Sequence, residues 1–257
     1  MLYYISNTII SNKIIKLEKS QISLAGQNRT KYLLNIFNKN ERTNFISVAI
    51  PKKKGIYFKK IYKNENYKEV YLGNIVLFFP LNYIFSIINL FFFLLFNIKE
   101  DDIIITYNFR PEIAFPILLA KKIKKFKLII EFEEIYSFFS KKFKFFRFLE
   151  ILGIKKAEGF ITCSTEIKSF IRNINNSSPI VLSYGYPFIF NNINDLGKNK
   201  NNNILLYSGR IDEERGLFNF ISIFNELIKE NKNYKLYITG DGPLKDKLIR
   251  ITKKIKI

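Results

Sequence analysis

Short apolar runs alternate with segments of helical period along most of the chain. Leu2 to Ser6 reads as a strand. A polar loop follows, then Gly26 and a helix from about Arg29 to Asn38. Phe45 to Ile50 and Tyr67 to Leu72 read as strands, and Leu81 to Ile98 as a long apolar helix. Four strands are expected at Asp102–Tyr107, Lys127–Phe132, Gly159–Cys163 and Ile180–Ser183, with helices between them at Pro111–Lys122, Lys141–Leu152 and Thr165–Asn173. Strand–helix alternation of this kind predicts an α/β fold, a parallel sheet covered by helices on both faces.

The rhythm breaks between Asn191 and Asn203, where Asn, Lys and Gly replace apolar residues. That stretch reads as a linker between an N-terminal domain, residues 1–190, and a C-terminal piece, residues 204–257. The C-terminal piece holds only two strand–helix units. A doubly wound nucleotide domain needs about five or six strands, so this piece is expected to be an incomplete domain.

Composition narrows the chemistry. The 257 residues carry a formal net charge of +20, one Cys and no His. Without His, the commonest general base and metal ligand are missing. One cysteine, Cys163, supports neither a disulfide framework nor a thiolate zinc site. No metal or cofactor is expected, and acid–base work falls to carboxylates, hydroxyls, Lys, Arg or Tyr. The charge suits anionic partners. No RNA- or DNA-binding motif is present, so nucleic acid is not expected among them. The uncharged stretch Gly73 to Ile98 reads as a core-packed or membrane-touching helix, because Pro80 divides it and Asn82, Ser86, Asn89 and Asn97 form a polar stripe. Phe138 to Leu152 interleaves Phe with Lys and Arg, which suits an anionic bilayer surface. No signal peptide is evident, and the expected location is cytoplasmic, peripheral to the inner face of the membrane.

The most specific chemistry sits after the linker. In Leu206-Tyr207-Ser208-Gly209-Arg210-Ile211-Asp212-Glu213-Glu214-Arg215-Gly216, a buried strand ends at a glycine turn and two arginines follow five positions apart, just before a helix. Anions are favoured at helix N-termini at the carboxyl ends of parallel strands, and Arg grips phosphate oxygens with paired hydrogen bonds. The arrangement suits a diphosphate. A second strand ends in Thr239-Gly240-Asp241-Gly242-Pro243-Leu244, with Pro243 at an expected first helical position.

Together the two stretches resemble the donor half of the family 4 glycosyltransferases, which have the GT-B fold. The chain departs from the family pattern in having Arg215 where Lys is usual. The resemblance implies a Rossmann-like N-terminal domain with a parallel sheet and the first part of a second Rossmann-like domain. It implies transfer of a sugar from a nucleotide-diphosphate sugar to a hydroxyl of a lipid-linked or polysaccharide acceptor, with the anomeric configuration retained. On this resemblance Arg210 and Arg215 bind the donor diphosphate, and Gly209, Gly240, Asp241 and Gly242 lie beneath the nucleotide. Gly26 and Arg29 resemble the loop that meets phosphate or acceptor. Glu133 and Glu134, after the strand ending at Phe132, are the candidates for binding or deprotonating the acceptor hydroxyl. Alternation puts Glu131 and Glu133 on one side of that strand. The family's paired glutamates, which hold the donor's sugar and ribose, lie beyond the last residue here. The chain is therefore expected to be weak or inactive alone, or to need a partner chain that completes the C-terminal domain. The alternative is a non-catalytic GT-B-like fragment that binds an anionic membrane or a partner protein.

Overall fold

The computed structural model describes residues 1–11, 24–39, 41–51, 53–63, 67–78, 80–136, 144–184 and 203–255. The expected linker, 191–203, lies outside them apart from Asn203, as do residues 141–143 of the expected helix after Glu134. Two compact units are present, Met1–Pro187 and Phe188–Ile257.

The first unit is a three-layer sandwich. Its strands are β1 (Leu2–Ser6), β2 (Thr43–Ser47), β3 (Gly55–Tyr57), β4 (Lys60–Lys63), β5 (Lys68–Tyr71), β6 (Asn74–Val76), β7 (Ile103–Tyr107), β8 (Lys127–Phe132), β9 (Gly159–Thr162) and β10 (Ile180–Leu182). Its described helices are α1 (Leu24–Phe37), α2 (Leu81–Asn97), α3 (Pro111–Ile123), α4 (Lys144–Lys156) and α5 (Thr165–Arg172). The main sheet runs β10-β9-β8-β7-β1-β2-β5-β4. Its pairs are parallel except β4 with β5. β3 and β6 form a separate antiparallel pair.

Side-chain alternation divides the core. One face of the sheet presents Tyr3, Ile5, Ile46, Ile104, Leu128 and Ile130 to α2, α3, α4 and α5. The other presents Leu2, Tyr4, Phe45 and Ile105 to α1 through Leu33 and Leu34. Every residue of β1 is buried, as a central strand covered on both faces requires. β4 lies at the edge, where Lys60 and Lys63 end an antiparallel strand that alternation does not mark. Charged edge strands of this kind resist pairing with other chains.

The sheet reverses its order at β1, with β2 on one side and β7 on the other. Ligands bind at the carboxyl ends of strands flanking such a switch point. Here those ends lead into Ser6–Thr8, Asn108 and the start of α1.

The second unit contains β11 (Ile204–Ser208), α6 (Leu217–Glu230), β12 (Lys235–Thr239) and α7 (Lys245–Ile255). The two strands pair in parallel, Leu206 opposite Tyr237. Ile211, Leu217, Ile221, Phe224 and Leu248 form the core of this unit, and Tyr207, Leu236 and Ile238 pack against it. α7 begins at Lys245, so Pro243 stands in the turn before the helix rather than at its first position.

Candidate functional site

Beside the switch point of the first unit, side chains of β1, β7 and β8, of Ser183 after β10, and of α1 meet in a buried ionic network. Arg29, in the second turn of α1, is 1% exposed. Its Nε donates to Glu131 Oε1 at 2.8 Å and lies 3.5 Å from Glu133 Oε1. Its Nη1 donates to Ser183 Oγ at 3.0 Å. The Tyr4 hydroxyl donates to Glu131 Oε2 at 2.5 Å, and the Tyr107 hydroxyl to Glu133 Oε2 at 2.5 Å. Glu131 and Glu133 thus lie on one side of β8 and its extension. Burial pushes the Glu131 carboxyl up to about 7, against the pull of Tyr4 and Arg29. Burial and the neighbouring Glu131 carboxyl likewise raise Tyr4 well above its usual range.

Gly26 and Arg29 stand inside α1, which begins by Leu24, and not in a loop ahead of it. The guanidinium of Arg29 is engaged by carboxylates. Gly26 faces Tyr107: a Cβ there would lie 2.8 Å from the Tyr107 hydroxyl oxygen. The missing side chain leaves room for the ring that reaches Glu133.

Asn108 aims the acidic segment. It takes the left-handed conformation, φ 52°, which Asn tolerates better than most residues. Its N–H donates to the Glu131 carbonyl at 2.8 Å. Its Oδ1 accepts the N–H groups of Glu133 at 2.9 Å and Glu134 at 3.2 Å. Glu133 keeps 26% of its side chain exposed, and Glu134 is exposed. Beside them Arg110 Nε pairs with Glu112 Oε1 at 2.9 Å, and its guanidinium carbon sits 5.6 Å from the Tyr136 ring centroid. Glu112 Oε2 is buried with no hydrogen-bond partner among the described residues. Burial raises the Glu112 carboxyl and pushes the Tyr136 phenol up to about 12. The sequence reading missed Asn108, Arg110, Glu112 and Tyr136. The position of Tyr107-Asn108-Phe109-Arg110-Pro111-Glu112, between an apolar strand and a proline-started helix, was the available signal.

The loop after β1 is held by buried polar groups. Glu69 accepts the N–H groups of Ile10 and Ser11, both at 2.9 Å. Gln27 Nε2 donates to the Ile9 carbonyl at 2.6 Å, and Ser47 Oγ to that of Thr8 at 2.6 Å.

In the second unit the two strand-to-helix turns are joined by backbone hydrogen bonds. The Gly209 N–H donates to the Thr239 carbonyl, and that of Ile211 to the Asp241 carbonyl, both at 3.0 Å. The Leu244 N–H returns to the Ile211 carbonyl at 3.2 Å. A Cβ on Gly240, whose φ is 148°, would fall 1.8 Å from the Gly209 carbonyl oxygen, and one on Gly242 would fall 2.2 Å from that of Ile211. The three glycines Gly209, Gly240 and Gly242 therefore belong to one paired turn.

Arg210, in this paired turn, and Arg215, just before the Gly216 cap of α6, are both exposed. Arg210 Nε meets Asp212 Oδ2 at 3.1 Å with its side chain 67% exposed. Ion pairs so exposed are weak and readily exchanged for a better anion. Asp212 Oδ1 accepts the Arg215 N–H at 3.2 Å. Gly216, φ 67°, caps α6. From the other turn, Lys245 lies 3.5 Å from Asp241, and Lys247 lies 3.8 Å from Glu213 and over the Phe218 ring.

Comparison with known proteins gives two results that bear on this arrangement. Residues 188–257 match the family model of the glycosyl transferases group 1. No curated protein sequence matches the chain. Solved structures match nearly its whole length at low identity. TarM is 11% identical, with a TM-score of 0.62 over 98% of this chain and 74% of its own. Sucrose-phosphate synthase from Thermosynechococcus elongatus is 11% identical, with a TM-score of 0.63 over 100% of this chain and 68% of its own. A trehalose-6-phosphate structure from E. coli bound with UDP-2-fluoro glucose is 8% identical, with a TM-score of 0.62 over 100% of this chain and 68% of its own. The chain thus spans about two-thirds to three-quarters of the length of these relatives. It has the GT-B fold of these glycosyltransferase structures, and residues 188–257, in its second unit, match the group 1 glycosyl transferase model.

Proposed function

We propose that the protein transfers a sugar from a nucleotide-diphosphate donor to an acceptor hydroxyl. The observation that carries this reading is the paired turn of the second unit, which presents Arg210 and Arg215 at the carboxyl ends of β11 and β12 within the family-matched segment. Their guanidinium groups would neutralise the diphosphate and stabilise it as it leaves, with Gly209, Gly240, Asp241 and Gly242 beneath the nucleotide. Stabilisation of developing phosphate charge is the main catalytic demand of such a transfer. The bound UDP sugar of the E. coli relative supports a nucleotide donor.

On the acceptor side, Glu133 and Glu134 bind or deprotonate the incoming hydroxyl. Arg29 and Tyr107 hold Glu133, and Asn108 holds the backbone of both, so Arg29 acts by positioning carboxylates and not by gripping phosphate. The acceptor is a lipid-linked or polysaccharide hydroxyl, the configuration is retained as in family 4, and the protein works at the inner face of the membrane. Among the described residues no helix is long and apolar enough to cross a membrane.

Titration calorimetry with UDP and a UDP-sugar tests the donor assignment. Replacing one charged hydrogen-bonding group should weaken binding by about tenfold to a hundredfold, so Arg210→Ala and Arg215→Ala should each do so. Equal affinity of the wild type and the double variant would sink the reading.

A further inference from the structure

Helices α2, α3 and α4 lie side by side on one face of the main sheet, α2 against α3 and α3 against α4. Their inward faces bury Leu90 and Leu94, Ile113 and Ile117, and Leu149 and Ile154. The outward faces of α2 and α3 are apolar as well. On α2 the exposed residues Ile84, Ile88, Phe92 and Phe96 recur every four positions, and Phe96 is 79% exposed. On α3, Phe115, Leu119 and Ile123 repeat the same spacing. Residues four apart form a continuous ridge along a helix, so two adjacent apolar ridges point away from the sheet. Phe145 and Phe148 extend this surface onto α4.

The exposed charge on the helices themselves has one sign. The acids within the three helices, Glu112 and Glu150, are both buried. The exposed ionic groups on the helices are Lys122 of α3 and Lys144, Arg147, Lys155 and Lys156 of α4. Of the acids in the loops joining them to the next strands, Glu100 and Asp101 are exposed, and Glu158 is paired with Lys121 at 2.8 Å. Protein–protein interfaces are depleted in Lys. Exposed Phe bordered by Lys and Arg instead fits an anionic headgroup layer, where apolar side chains enter the acyl boundary and the bases meet lipid phosphates.

We infer that the outer face of α2, α3 and α4 is a docking surface for an anionic lipid bilayer. This inference rests on the membrane-peripheral part of the proposed function and names the surface responsible. Phe92 and Phe96 enter the lipid, and the bases of α4 hold the face flat against it.

The chain has no Trp, so Phe96→Trp installs a single fluorescent reporter at the most exposed ring of the ridge. It is mixed with vesicles of phosphatidylcholine alone, or of equal parts phosphatidylcholine and phosphatidylglycerol, each with and without bromine on the acyl chains. The expected result is blue-shifted emission, quenched by brominated lipid in the anionic vesicles. Added salt should release the protein. Ile88→Ser with Phe92→Ser should weaken vesicle binding at least tenfold, because buried apolar area is lost. Lys155→Ala with Lys156→Ala should weaken it about 30-fold, at about fivefold per basic residue. All these positions are exposed, and circular dichroism checks that each variant folds. An unquenched reporter on bound protein would overturn the inference, as would failure to bind anionic vesicles at low salt. Sedimentation showing that the serine variants dissociate a dimer while vesicle binding is unmoved would also overturn it, assigning the face to a second copy. Nucleotide binding is read separately. A chain that binds UDP but leaves the reporter unquenched loses only this surface, and quenching without UDP binding removes only the donor reading.

Discussion

Arg29 and Glu131 form an ion pair of 2.8 Å in which neither side chain reaches solvent, although 102 residues separate them in the chain. The pair ties α1 to the carboxyl end of β8, two strands away from β1, where the sheet reverses its order. Desolvating two charges is expensive, and the surrounding hydrogen bonds from Tyr4 and to Ser183 offset part of that cost.

Removing one partner should therefore be far more damaging than removing both. Arg29→Met is expected to destabilise the first unit by about 3–5 kcal/mol, since it leaves a buried carboxylate without its cation. Arg29→Met with Glu131→Gln should recover more than half of that loss. Urea denaturation followed by circular dichroism measures both, and a double variant no more stable than the single one would show that the ion pair is not the dominant contact.

The same carboxyl gives the protein a pH dependence. Glu131 titrates at about 7 in the folded chain against a usual 4.5, with burial as the main cause. A raised folded value means that the native state holds the proton longer than the unfolded chain does. The associated stability is complete below about pH 4.5 and is lost as pH rises through 7. The two values bound this contribution at about 3 kcal/mol. Stability of the wild type minus that of Glu131→Gln should thus fall between pH 5 and 7.5 and level off above, roughly, that range. A difference that stays flat across it would rule Glu131 out as the titrating group.

Gly26 and Tyr107 should show coupled effects. Alanine favours a helix over glycine by about 1 kcal/mol, yet at position 26 its Cβ would press on the Tyr107 hydroxyl. Gly26→Ala is expected to destabilise the wild type by about 1 kcal/mol through overpacking. In a Tyr107→Phe background, where the hydroxyl is gone, the same change should be neutral or stabilising. Additive effects in the four-member cycle would mean that the ring and Cβ do not meet.

The glycines of the second unit should differ sharply from one another. Gly240→Ala and Gly242→Ala drive a Cβ into backbone carbonyls that have nowhere to move, and each is expected to cost more than about 3 kcal/mol. Gly216→Ala has nothing within 4 Å of its Cβ and bears only the strain of φ 67°, about 1–2 kcal/mol. Hydrogen exchange of the Gly209 and Ile211 amides should speed up in the first two variants and change little in the third.

The α/β fold was legible because strands such as β1, β7 and β8 are buried on both faces and so stand out as apolar runs. β4 was not, since Lys60-Ile61-Tyr62-Lys63 is half exposed at an edge and its antiparallel partner leaves no periodic mark. Strand alternation also predicted that Glu131 and Glu133 share a side, and Arg29 reaches both. That Arg29 would be the group between them could not be read, because no local pattern links residues so far apart. Gly26 reads as a glycine opening a helix, by resemblance to the family's loop after the first strand. Inside α1 it fits closely against Tyr107, a contact between distant segments that no local pattern marks. Asn108 was missed for a similar reason: its left-handed backbone is visible only in three dimensions.

The interlocked backbones of Gly209–Ile211 and Thr239–Gly242 have a consequence for recombination. Because each turn is shaped to the other's main chain, the smallest portable module runs from Gly209 to Leu244 and includes α6 and β12. A chimera whose crossover falls within α6 would join turns that were never fitted to one another. Exchanging the whole module with a relative's should preserve the fit, and a graft into this scaffold has to begin and end at those bounds.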